Sequence, residues 1–184
     1  DARRDGHAWR ARGCAMQTGV GRVRDDNAQL NVRDVETPRQ PLRVVVDSRL
    51  ETPLDARILQ GGTTLIVGAV ENVGRIEALR SVGAEVLIVP NASGKVDLAA
   101  LLTALGGRGV NEVHAEAGFK LNGSLLREGL VDELLLYLAP CLIGHEANGL
   151  FNLPELATLD GKRRLQIRDL RQIGADIRVV ARPA

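Results

Sequence analysis

Apolar and polar positions alternate along the chain in blocks that read by turns as strands and helices. Leu42-Arg43-Val44-Val45-Val46 is short, β-branched and bounded by Pro41 and Asp47, which is the pattern of a strand. Residues 63–69 repeat it after the Gly61-Gly62 break, and residues 86–89 repeat it before Pro90. Residues 74–82 place Ile76, Leu79 and Val82 at helical spacing, with Gly83 as the C-cap. Asp97 caps a helix that runs through Leu105 and is closed by Gly106-Gly107. A strand over 110–117 and a helix over 121–130 follow. At the start of the chain, residues 2–12 read as a short amphipathic helix whose apolar members are Ala8, Trp9 and Ala11, and residues 15–18 read as a strand.

Glu133-Leu134-Leu135-Leu136-Tyr137-Leu138-Ala139 is apolar on consecutive positions, which predicts a central strand buried on both faces. Residues 164–173 and 177–182 are strand-like runs joined across Gly174-Ala175-Asp176, a hairpin signal. Strand–helix alternation ending in a hairpin predicts an α/β domain: a mixed, mostly parallel sheet, helices on both faces and a C-terminal antiparallel hairpin. Without repeats or linkers, residues 1–184 read as one domain.

Composition narrows what such a domain does. Only Trp9, Phe119, Tyr137 and Phe151 are aromatic, so the core rests on aliphatic side chains and no base-stacking platform is in sight. The net charge of +1 is too balanced for a surface that grips nucleic acid. Residues 1–33 nonetheless hold seven arginines against four aspartates, a local +3. That asymmetry suits an anion site, although a solvated helix face accounts for most of these arginines. Cys14 and Cys141 form no disulfide framework, and no apolar run approaches a membrane span of about 20 residues. A cytoplasmic protein in a reducing compartment is the expectation.

Few strings point to chemistry. His114-Ala115-Glu116 and Pro140-Cys141 resemble fragments of a zinc deaminase signature, but Gly144 stands where the second thiolate belongs, and a zinc site is rejected. Gly19-Val20-Gly21 begins a dinucleotide fingerprint that Arg24 breaks; a plain turn explains it equally well. Asp25 and Asp26 read as paired aspartates in a loop, where solvated turn residues are the rule.

The turn Gly118-Phe119-Lys120-Leu121-Asn122-Gly123-Ser124 leaves a strand and enters a helix. Its backbone amides suit a diphosphate, or its glycines serve tight packing; both readings stand. Glu116 ends a strand that should be buried, where an ionised carboxylate needs a partner or a task. Arg10 and Arg33 are candidates to hold a substrate phosphate, and Ser48 is either a cap or a cofactor contact. Histidines 7, 114 and 145 have no evident catalytic company.

Several of these strings occur in register with a known family. Thr18-Gly19-Val20-Gly21, Asp26, Gln29-Leu30-Asn31-Val32-Arg33, Val46-Asp47-Ser48-Arg49 and Glu116-Ala117-Gly118 stand in the order seen in riboflavin-biosynthesis reductases. Gly123-Ser124-Leu125-Leu126-Arg127-Glu128-Gly129-Leu130-Val131-Asp132-Glu133 and Leu138-Ala139-Pro140 extend the match. The chain is similar throughout to the C-terminal reductase domain of the bifunctional diaminohydroxyphosphoribosylaminopyrimidine deaminase/5-amino-6-(5-phosphoribosylamino)uracil reductases.

That resemblance implies a dihydrofolate-reductase-like fold and NADPH-dependent reduction of the ribosyl group of a phosphorylated pyrimidine riboside to a ribityl chain. It also implies a homo-oligomer, commonly a dimer, with no nucleic-acid or membrane partner. Arg10, Leu30, Arg33 and Glu116 fall at substrate-contacting positions. Asp26, Ser48 and the turn from Gly118 through Ser124 fall at cofactor-contacting ones, with Asp26 or Glu116 orienting the sugar or handling its proton. Arg22 stands where a cofactor-contacting Thr is usual. Relative to the family, the sequence starts after a first strand and carries no deaminase domain. The competing readings are a related pterin or diaminopyrimidine reductase, and a non-catalytic nucleotide-binding or oligomerisation domain of the same fold.

Overall fold

Uninterrupted β-branched runs need cover on both faces, and in residues 7–118 they assemble as a parallel sheet. The computed structural model describes residues 1–144, 147 and 149–184; His145 lies outside the described residues. The chain divides into two units, one of residues 7–118 and one of residues 1–6 with 119–184. A first helix, α1 (Ala2–Arg12), contributes residues to both.

In the unit 7–118 the elements are β1 (Ala15–Gly19), α2 (Val20–Asp26), β2 (Leu42–Val46), β3 (Thr64–Gly68), α3 (Val73–Ser81), β4 (Glu85–Ile88), α4 (Leu98–Gly107) and β5 (Val113–Ala115). The strands form one all-parallel sheet in the order β4-β3-β2-β1-β5. The chain moves outward from β1 to β4, then returns through α4 to place β5 on the other side of β1. Right-handed crossovers in opposite directions put α3 and α4 on opposite faces. On one face Met16, Val45 and Ile66 pack with Val23 of α2, Leu79 of α3 and the loop residues Leu30, Leu50 and Ile58. The other face buries Ala15, Val44, Leu65 and Val67, and α4 buries Leu98, Leu101 and Leu105.

Local signals set most boundaries. Asp97 accepts a hydrogen bond from the Ala100 amide as the N-cap of α4, and Asn72 caps α3 through the Arg75 amide. Gly83 takes a positive φ just past α3, as its position predicts. Gly106 and Gly107 do not close α4 but lie inside it, and Gly109 takes the left-handed turn instead. In α1 the buried side chain is His7 rather than the alanines; Ala8 is exposed.

The unit of residues 1–6 and 119–184 contains α5 (Phe119–Arg127), β6 (Leu134–Leu138), β7 (Leu165–Ile173) and β8 (Asp176–Pro183). The expected hairpin is present: Ile173 pairs with Asp176 across Gly174-Ala175. It belongs, however, to a separate antiparallel sheet in the order β6-β8-β7. The Leu134-Leu135-Leu136 run therefore forms an edge strand, half-buried along most of its length, and not the central strand its composition suggests. Its polar anchor is Arg178 on β8, which donates to Asp5 (2.9 Å) and Asp169 (2.8 Å), while Tyr137 donates to Asp5. The Arg178 hydrogen bond, then that of Arg171, holds the Asp169 carboxyl below its ordinary range. No helix among the described residues is long and apolar enough to cross a membrane.

One glycine here has no substitute. A Cβ on Gly123 of α5 would run into the backbone of Asn152, which cannot rotate away as a side chain end can. Gly123→Ala is expected to destabilise the fold by about 1–3 kcal/mol, read as a lower urea midpoint at unchanged slope.

Candidate active site

Parallel sheets leave a crevice beyond the carboxyl ends of their strands where the strand order reverses. Here the reversal is at β1, with β2 on one side and β5 on the other. Glu116 is the first residue past β5. Its amide donates to the Gln17 carbonyl (2.8 Å) and its carbonyl accepts from the Thr18 hydroxyl (2.9 Å), so its backbone is fastened to β1.

The Glu116 side chain meets a guanidinium fork. Arg10 Nε lies 2.5 Å from Oε1 and Nη2 lies 2.6 Å from Oε2. Arg10 Nη1 donates to the Asn31 carbonyl at 3.2 Å. His114, two residues earlier on β5, places Nε2 3.5 Å from Glu116 Oε1. Burial alone would raise the carboxyl, but hydrogen bonds from His114 and Arg10 and their charges hold it at about 2. Glu116 is thus a fixed anion at neutral pH. It can orient a hydroxyl or hold a cation, but it carries no proton to give, which separates the two tasks the sequence left to it.

Arg33 is exposed, and its guanidinium donates to the Asn31 side chain (3.0 Å). Its amide donates to His7 Nδ1 at 3.4 Å, while His7 Nε2 lies 3.5 Å from Asp34. Asn31 therefore serves both arginines, Arg10 through its carbonyl and Arg33 through its amide oxygen. Arg10 spends its fork on Glu116, whereas Arg33 keeps its own available for a phosphate. Leu30 has a φ of 52° and buries its side chain in the core, so it can offer a substrate only its backbone.

The remaining candidates lie elsewhere on the two units. Gly19-Val20-Gly21 is not a turn: Gly19 is the N-cap of α2, and Val20 and Gly21 are its first residues. Asp25 and Asp26 are likewise not in a loop but in the last turn of α2, which Asn27 ends in the left-handed conformation. Asp26 pairs with Arg22 one helical turn back at 3.0 Å. Among the described residues it makes no hydrogen bond to Arg10, Glu116, Asn31 or Arg33.

Ser48 caps no helix; its hydroxyl accepts from the Val96 amide at 3.2 Å. The turn from Gly118 through Ser124 is shorter than expected, because Phe119 already starts α5. The amides of Phe119, Lys120 and Leu121 have no partner within the helix, but from Asn122 onward the amides are spent inside it. For Gly123 the packing reading holds, and the Ser124 hydroxyl donates to the Lys120 carbonyl (3.2 Å).

Sequence reasoning missed Asn31, His7, His114 and Thr18 as parts of this arrangement. The only available signal was the burial expected of a carboxylate at 116, which demands partners without naming them.

A family model described as the RibD C-terminal domain matches residues 1–179. The chain belongs to the RibD C-terminal domain family. It is 35% identical over 190 residues to the riboflavin biosynthesis protein RibD of Escherichia coli, covering 96% of this chain and 50% of that protein. It is 29% identical over 199 residues to the 5-amino-6-(5-phosphoribosylamino)uracil reductase of Buchnera aphidicola, covering 99% of this chain and 92% of that one. Among solved structures, Acinetobacter baumannii RibD matches with a TM-score of 0.85 and 32% identity over 100% of this chain and 50% of that one. The chain thus spans about half the length of the RibD proteins it matches.

In this RibD C-terminal domain the Glu116 pair also sets an acid limit. A carboxyl held below its ordinary value stabilises the fold above that ordinary value and loses its contribution as pH falls toward the folded-state value. With 4.5 falling to about 2, on the order of 3 kcal/mol should be present at pH 7 and vanish between about pH 5 and pH 2. Glu116→Gln should accordingly lower urea stability at pH 7 and differ little from the parent near pH 2.

Proposed function

We propose that the chain catalyses the NADPH-dependent reduction of the ribosyl group of 5-amino-6-(5-phosphoribosylamino)uracil to the ribityl form. Residues 1–184 act in this reading as one cytoplasmic reductase domain. What supports it is the fixed Glu116 carboxylate with Arg10, Asn31 and Arg33 at the reversal of the sheet, in a chain of the RibD C-terminal family.

The residues fit a dinucleotide. What supports this is Gly118, where a Cβ would meet nothing within 4 Å, so that a diphosphate can approach the backbone closely. When bound, the nicotinamide supplies a hydride to the ribosyl C1′ as the C1′–ring oxygen bond breaks. Arg33 holds the substrate phosphate, and Glu116 accepts from a sugar hydroxyl while Arg10 keeps it ionised and aimed. Glu116 has no proton to donate, and Asp26, paired with Arg22 at 3.0 Å, is the second carboxylate that this reading assigns to orienting the sugar. Self-association belongs to the same reading: β7 exposes Leu165, Ile167 and Leu170 on an edge strand.

Mixing the protein with NADPH and the deaminated pyrimidine riboside phosphate should consume NADPH absorbance. Tight NADPH binding without turnover would favour the non-catalytic reading. Arg33→Ala should raise KM for the phosphorylated substrate by about tenfold or more with kcat little changed. Asp26→Asn should lower kcat by roughly 10–100-fold while NADPH affinity holds; equal turnover would remove Asp26 from the mechanism.

A further inference from the structure

The sheet opens on one side of β1 before it does on the other. With β2, β1 stays in register as far as Gly19 and Val46, whereas with β5 the register ends at Gln17 and Ala115. Beyond that point Gly19 turns into α2 as its N-cap, and Glu116 is the first residue past β5. Two consecutive residues of β1 nonetheless reach over to hold it. The Gln17 carbonyl accepts from the Glu116 amide (2.8 Å), as in an ordinary ladder. The Thr18 hydroxyl donates to the Glu116 carbonyl (2.9 Å), a side-chain bond where the backbone ladder has ended.

That hydroxyl does nothing for the strand itself. Thr18 is fully buried and lies opposite Val45, on the face of β1 where Met16 joins the aliphatic core. Valine has nearly the same shape and suits a strand as well, and it would bring no polar atom into that layer. What the hydroxyl adds is its hold on Glu116.

We infer that Thr18 is a positioning residue, whose hydroxyl keeps the Glu116 carboxylate on the Arg10 fork and facing the crevice. Arg10 and His114 fix the carboxylate relative to α1 and β5, while Thr18 fixes the peptide that carries it relative to β1. Without the second hold the peptide between residues 116 and 117 is free to turn. A two-pronged pair at 2.5 and 2.6 Å tolerates little such displacement. The inference deepens the reductase reading and rests on it for turnover, but not for the titration described below.

Thr18→Val and Thr18→Ser test it, each alone and combined with Glu116→Gln. With NADPH and the deaminated pyrimidine riboside phosphate, Thr18→Val should lower kcat about tenfold at unchanged NADPH affinity. Thr18→Ser should recover most of that loss, and in the Glu116→Gln background Thr18→Val should cost nothing further. Independently of turnover, the Glu116 carboxyl can be followed by carbon-13 NMR in glutamate-labelled protein. It should titrate at higher pH in Thr18→Val than in the parent or Thr18→Ser, because burial raises a carboxyl that His114 and Arg10 no longer hold down as firmly.

Either a parental kcat or a parental titration in Thr18→Val overturns the inference. So does an equal loss in the Glu116→Gln background, since Thr18 would then act through packing alone. If the parent never oxidises NADPH, the reductase reading falls and the titration decides alone: a raised Glu116 keeps the role of Thr18, and an unmoved one ends it. Should Thr18→Val fail to fold, Thr18→Ala carries the same expectations.

Discussion

A carboxylate that stays ionised out of bulk water is the constraint from which the rest of the site follows. Glu116 is permitted just beyond a buried strand only because Arg10 closes a two-pronged pair on it and His114 stands beside it. The pair joins α1 to the carboxyl end of β5, two segments more than a hundred residues apart in sequence. Breaking either partner would strand a charge, so the same contact that shapes the site also restrains the fold.

From that pair the division of labour among the neighbouring groups can be read. An arginine already engaged with a carboxylate is a poor first choice for a phosphate, and Arg33 is left as the cation with capacity. Asn31 ties the two arginines together, and His7 pins the chain at Arg33 from the buried side of α1. The buried side chain and positive φ of Leu30 show the price of this arrangement: the loop is bent so that its polar members face one direction and its apolar member enters the core.

Apart from α2, which reads in the sequence as a turn and a loop, the strands and helices of residues 7–118 were legible because they carry local signals: a β-branched run, an Asp cap, a glycine past a helix end. The family resemblance carried the reading further than spacing did, and a family match over residues 1–179 agrees with it. Where the sequence misled, the missing information was non-local. A leucine run looks alike whether it becomes a central strand or the edge of a small antiparallel sheet, since consecutive apolar positions report burial and not neighbours. Gly106 and Gly107 read as a stop but form the exposed last turn of α4, and the left-handed turn falls two residues on at Gly109.

By itself, then, the sequence determined most of the elements, their order and the residue types available for anion binding, since these follow from local propensity and periodicity. Only the tertiary structure decided which charges meet. Arg10 and Arg33 are indistinguishable as cations in the sequence, yet one is consumed by Glu116 and the other is not. Gly123 reads equally as a cradle and as a packing contact until Asn152 is seen against it. Ion pairing and close packing depend on distance in space, and distance in space is what a linear pattern does not carry.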